Sequence, residues 1–104
     1  MATILWKNNA ASTLAADITA GATSLSVQTG DGAEFPSPGA GQEFYVTLSQ
    51  GANIEICKCT SRATDALTVV RAQDGTTGKA FTSGAKVELR LTAIQLEQMA
   101  QAGA

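Results

Sequence analysis

The sequence predicts an all-β fold, a small antiparallel β-sandwich or barrel with a short C-terminal α-helix. Three observations carry that expectation. Apolar and polar residues alternate in EFYVTL (43–48), NIEICKCTSR (53–62), DALTVVRA (65–72) and AKVELRLT (85–92), which is the two-residue period of a strand. Gly, Asn, Asp and Pro fall between these runs, where turns need them. A length of 104 residues suits a single domain with one modest core. The expected layout is one β domain over 1–104, with strands in 1–91 and a helix over 92–102.

Taken in order, residues 2–8 (ATILWKN) read as a first strand with Ile4 and Trp6 on one face. Trp6 then either caps the edge of the core or pairs across an interface. Residues 12–18 alternate Leu14, Ala16 and Ile18 against Thr13, Ala15 and Asp17. The Ala content also suits a helix, but the alternation of Leu25 and Val27 in the next run favours two strands. Residues 19–22, with Gly21, would connect these two as a hairpin. Residues 29–42 contain both prolines and read as a loop, with Phe35 plugging it onto the core.

Strand 43–50 sets Phe44, Val46 and Leu48 on one face and Tyr45, Thr47 and Ser49 on the other. After a turn at 50–53, the next strand sets Ile54, Ile56 and Lys58 opposite Glu55, Cys57 and Cys59. It is apolar on parts of both faces, as a central or contact-buried strand is. Leu67 and Val69 share a face of the returning strand. A polar loop, QDGTTGKAFTSG (73–84), leads to the last strand, where Val87, Leu89 and Leu91 point inward and Glu88 and Arg90 outward. Thr92 reads as a helix N-cap with Gln95 as its capping-box partner. Leu96, Met99 and Ala100 give that helix an apolar side, which docks on its own domain or bundles with copies of itself.

Composition narrows the function. Charged residues are 15% of the chain, below the usual ~25%. The net charge is −2 and the cations are scattered, without the basic face that nucleic acid requires. The sequence has neither an apolar run long enough to span a membrane nor a signal-peptide pattern, so synthesis in a cytoplasm is expected. It contains no His, the commonest general base. Cys57 and Cys59 stand two apart on one strand face, too few for a zinc site and badly placed for a disulfide. They read as small apolar residues in a packed sheet.

The pairs Asp31 and Glu34, and Asp65 and Asp74, lie in polar turns, where loop solvation rather than acid–base work is expected. Neither a calcium loop nor a phosphate loop matches: the spacing after Asp31 lacks the ligands, and Gly75 and Gly78 are too close ahead of Lys79. No catalytic residue, metal or cofactor is expected.

The block EICKCTSRATDALTVVRAQDGTTGKAFTSGAKVELRLTA resembles a module of tailed-bacteriophage virion proteins, often found at the N-terminus of tail fibres. Glu55, Ile56, Lys58, Thr60, Arg62, Leu67, Thr68, Val69, Arg71, Gln73, Asp74, Gly75, Thr76, Phe81, Gly84, Val87, Glu88, Arg90 and Thr92 match that pattern. The upstream stretches NNAASTLAADITAGATSLSVQTGDGAEFP and GQEFYVTL fit as well. Cys59 departs from it where Val is expected, and Gly78 where Ala is frequent.

The resemblance implies a non-enzymatic virion structural protein, a tail-fibre or tail-attachment module made in the host bacterial cytoplasm. Its partners would be other virion proteins of tail or capsid. It would form a homo-oligomer, with a trimer among the candidates. Fibre proteins continue beyond the LTA segment whereas this sequence stops at Ala104, so a stand-alone structural protein is expected. The alternatives are a capsid decoration (cement) protein and a receptor- or carbohydrate-binding module that exposes Trp6 and Tyr45. Subunit contacts are expected at Trp6, Gln73, Asp74, Thr76, Thr77, Phe81, Leu96 and Met99.

Overall fold

The computed structural model describes residues 3–5 and 10–89. Its framework is an antiparallel meander of three long strands, β4 (Gln42–Gln50), β5 (Asn53–Ala63) and β6 (Ala66–Gln73). Val46 stands opposite Cys57, and Cys59 opposite Val69. Four shorter strands extend it: β1 (Thr3–Ile4), β2 (Ala11–Thr13), β3 (Ser24–Ser26) and β7 (Lys86–Glu88). Among the described residues the order is β2-β7-β4-β5-β6-β3, with β1 pairing in parallel with the start of β4. The sheet curls into a half-barrel, and an isolated bridge between Leu14 and Val27 joins its two ends.

The core lies inside this curl. Phe44, Val46 and Leu48 of β4, Cys57 and Cys59 of β5, Leu67 and Val69 of β6 and Val87 of β7 all point into it. These are the rows that the two-residue period marks. Strand β4 also buries Tyr45 and Thr47 on its other face, so it is covered on both sides. The long loop that follows β3 contains a 3-10 helix, Asp31–Glu34, and then seats Phe35 in the core against Phe44, ring centroids 6.1 Å apart.

One expectation changes. Residues 12–18 and 24–28 do not form a hairpin with each other. Strand β2 pairs with β7, and β3 with β6. The segments meet at the Leu14–Val27 bridge, through the Ala15 N–H to the Ser26 carbonyl at 2.8 Å, and through Gln28, whose side-chain amide donates to the Leu14 carbonyl and the Thr13 hydroxyl and whose N–H donates to the Ser12 hydroxyl. The reason lies in residues 15–17, which are exposed. An alanine at 16 buries too little surface to hold the chain in a two-residue period. Leu14 and Ile18 therefore become separate anchors, and Ile18 pairs with Phe81 across the barrel instead. The last strand is described only as Lys86–Glu88, with Val87 and Leu89 buried as expected. Trp6, Arg90, the helix expected at 92–102, and Leu96 and Met99 within it lie outside the described residues.

Among the described glycines, Gly32 sits closest against other backbone. A Cβ built there would stand 1.9 Å from the Thr64 carbonyl oxygen. The Asp65 carboxylate holds this contact by accepting the N–H groups of Gly32 at 2.8 Å and Gly30 at 3.2 Å. Gly32→Ala is therefore expected to destabilise by about 1–3 kcal/mol, because backbone must move to admit the methyl group. Gly21→Ala, with nothing within 4 Å of its Cβ, is the matched control and is expected to be neutral or mildly stabilising in urea unfolding.

Candidate functional site

The polar loop 73–84 and the connection 19–22 meet at one end of the half-barrel, and a buried ion pair joins them. Its members come from the inward rows of β5 and β6. Glu55 shares a face with Cys57 and Cys59, and its side chain is 0% exposed. Arg71 follows Leu67 and Val69 at the same two-residue period, and its side chain is 8% exposed. The guanidinium grips the carboxylate as a fork: Nε donates to Oε2 and Nη2 to Oε1, each at 2.7 Å. This bidentate geometry is the strongest available to a carboxylate.

The rest of each group is also occupied. Glu55 accepts the Ala72 N–H at 2.9 Å and the Lys79 N–H at 2.8 Å. Arg71 donates through Nη1 to the Thr19 carbonyl at 2.7 Å and the Ala22 carbonyl at 3.1 Å, and through Nη2 to the Lys79 carbonyl. A guanidinium has five N–H donors and a carboxylate about four acceptor sites, so the pair is saturated by its own fold. A bulge makes this possible. Between the pairs Ile56–Gln73 and Lys58–Val70, strand β6 carries Arg71 and Ala72 against the single residue Cys57. Ala72 takes a left-handed conformation, φ 57°, which turns its N–H toward Glu55.

The electrostatics follow from these bonds. Burial alone raises the pKa of Glu55, but the hydrogen bonds from Arg71, Ala72 and Lys79 and the charge of Arg71 outweigh it, so the net shift is downward. Glu55 in turn raises that of Arg71. The two thiols are suppressed. Burial, with the Glu55 charge added, pushes Cys57 up to about 12, and burial pushes Cys59 up to about 11. The Cys57 thiol lies 3.7 Å from Glu55 Oε2, and the Cys59 thiol 3.2 Å from the Ser61 carbonyl.

The remaining loop residues are fixed by local bonds. Thr76 donates its hydroxyl to the Gln73 carbonyl at 2.6 Å and accepts the Ile56 N–H at 3.0 Å. The Gln73 amide donates to the Arg71 carbonyl at 3.0 Å. Phe81 is buried in the core, and its backbone exchanges two hydrogen bonds with Ile18. Gly78 lies against the Ala20 carbonyl, which a Cβ would approach to 2.9 Å.

Of the residues expected at subunit contacts, Gln73, Asp74 and Thr76 are half-buried, and only Thr77 is exposed among those described. Phe81 belongs to the interior and has no surface to offer a neighbour. Tyr45 is likewise buried, its hydroxyl donating to Glu43 Oε2 at 3.0 Å, so it is not an open platform for a sugar. Sequence reasoning missed the ion pair. The signal was present, because the rows Glu55-x-Cys57-x-Cys59 and Leu67-x-Val69-x-Arg71 end in opposite charges on adjacent antiparallel strands. No family model matches the chain, and no curated protein matches its sequence.

Replacing Glu55 by Leu or Arg71 by Met leaves an unpaired buried charge, expected to cost about 3–5 kcal/mol in urea unfolding. The double variant is expected to recover little of that. The carbonyls of Thr19, Ala22 and Lys79 and the N–H groups of Ala72 and Lys79 would lose their partners together.

Because the folded pKa of Glu55 is depressed, its contribution is complete above the ordinary carboxylate range and is lost as pH falls through the folded value. The acid limb of a stability–pH profile is therefore expected to flatten in Glu55→Gln. Both thiols are expected to resist a disulfide reagent at pH 8 in the native protein and to react at once in denaturant. Rapid labelling without denaturant would contradict their burial.

Proposed function

We propose that this chain is a non-enzymatic structural protein of a tailed-bacteriophage particle, a tail-fibre or tail-attachment module that assembles through subunit contacts. The observation that carries the reading is the saturated pair at Glu55 and Arg71. In the block that resembles phage virion modules, the Glu55 carboxylate and the Arg71 guanidinium are bonded to each other and to the protein's own backbone. Other side chains of the same block have fold-building roles: Thr76 closes the loop, and Phe81 and Val87 fill the core. A polar block organised to hold shape suits a part that must dock repeatedly in one geometry.

The outer face of the β5–β6 hairpin supports the same reading. Ile54 and Val70 are 51% and 43% exposed, beside the half-buried Ile56 and Lys58. A mixed apolar and cationic surface of this kind fits the rim of a protein contact. The burial of Tyr45 weakens the carbohydrate-binding alternative, which needs exposed aromatic rings.

The decisive experiment measures the mass of the purified protein in solution and its copy number in purified particles. An oligomer present in few copies is expected for a tail or vertex attachment. Hundreds of copies would assign the protein to capsid decoration instead, and a monomer absent from particles would refute both. In the same assay Ile54→Asp and Thr77→Arg are expected to lower incorporation at unchanged folding stability, whereas Phe81→Ala is expected to lower stability first.

A further inference from the structure

We infer that the Glu55–Arg71 pair is a latch that makes residues 19–22 and 72–80 open and close as one unit, with the Ile18–Phe81 pair as its hinge. These segments lie about fifty residues apart in the chain, as the 52-residue separation of Thr19 and Arg71 shows. They nevertheless share the same two side chains. Glu55 holds the later segment through the N–H groups of Ala72 and Lys79. Arg71 holds both, through the Thr19 and Ala22 carbonyls on one side and the Lys79 carbonyl on the other. Gly78 rests directly on the Ala20 carbonyl.

Opening either segment alone admits water to the ion pair and strips the other segment's partners of their dry surroundings. The strength of buried hydrogen bonds depends on that exclusion. The coupling stops at the hinge. Ile18 and Phe81 exchange backbone hydrogen bonds of 2.8 and 3.1 Å, and both side chains belong to the core. Beyond them the pairing of β4 with β5, from Phe44–Cys59 to Gln50–Asn53, is made without backbone from either segment. Local opening below the level of global unfolding is common where a segment is held by a few bonds rather than by apolar packing. Residues 19–21, 72, 75, 77 and 80 are exposed, which meets that condition. This end of the half-barrel therefore has two states, closed over the pair or open as a whole. The inference concerns the free chain and stands apart from the virion reading.

Native-state hydrogen exchange across a denaturant series tests it. The reporters are the amides of Ala22 and Thr76, which donate to the Thr19 and Gln73 carbonyls, and those of Ala72 and Lys79, which donate to Glu55. In the wild-type protein these four are expected to share one opening constant and one denaturant slope. They should exchange faster than Val46 and Cys57, whose residues pair at the centre of the sheet. In Glu55→Gln all four are expected to speed up together, by about 10-fold or more.

Separate opening constants for Ala22 and Lys79 in the wild-type protein would overturn the inference. So would acceleration of Lys79 without Ala22 in the variant, or exchange of all four only through global unfolding. Should the variant fail to fold, the wild-type series decides alone.

Discussion

A carboxylate and a guanidinium, both removed from water, set the constraint around which one end of this fold is arranged. Burying either charge is costly, and their mutual attraction repays that cost only when the remaining hydrogen-bonding capacity is also met. Here Glu55 and Arg71 meet it with backbone groups of residues 19, 22, 72 and 79. The path of two loops is therefore dictated by the need to saturate two side chains. The bulge at Arg71 and Ala72, and the left-handed backbone at Ala72, follow from the same requirement.

The opposite end of the β5–β6 hairpin uses a related device with a smaller charge burden. The Asp65 carboxylate accepts the N–H groups of Gly30 and Gly32, and the absence of a side chain at Gly32 lets the 3-10 helix press against Thr64. Between these ends the interior is apolar, with Phe35 and Phe44 stacked and the two thiols packed nearby in the same core. Polar anchors at the ends and an apolar middle let a domain of this size carry long loops without leaving them loosely attached.

This arrangement gives a physical meaning to the sequence pattern that resembles phage virion modules. Glu55, Arg71, Thr76, Phe81 and Val87 are among the positions that match, and each has a role in holding the loop and the sheet together. Such a pattern specifies a shape. What a module of that shape does depends on the surface it presents, which is set by other residues, including Ile54, Val70 and Thr77.

The sequence by itself determined the all-β character, the three long strands, the two alternating rows of each and the plugging of Phe35, because each depends on local alternation or on a single large apolar side chain. It also placed the turn at 50–53. Only the tertiary structure decided that residues 12–18 and 24–28 pair elsewhere, since both candidate pairings satisfy the same local pattern and burial of Leu14 and Ile18 chooses between them. It also decided that Glu55 lies inside. A strand with apolar residues on both faces gives no local sign of which face is buried, and a charge can turn inward only where a distant partner meets it. That partner is Arg71, 16 residues away in the sequence and 2.7 Å away in space.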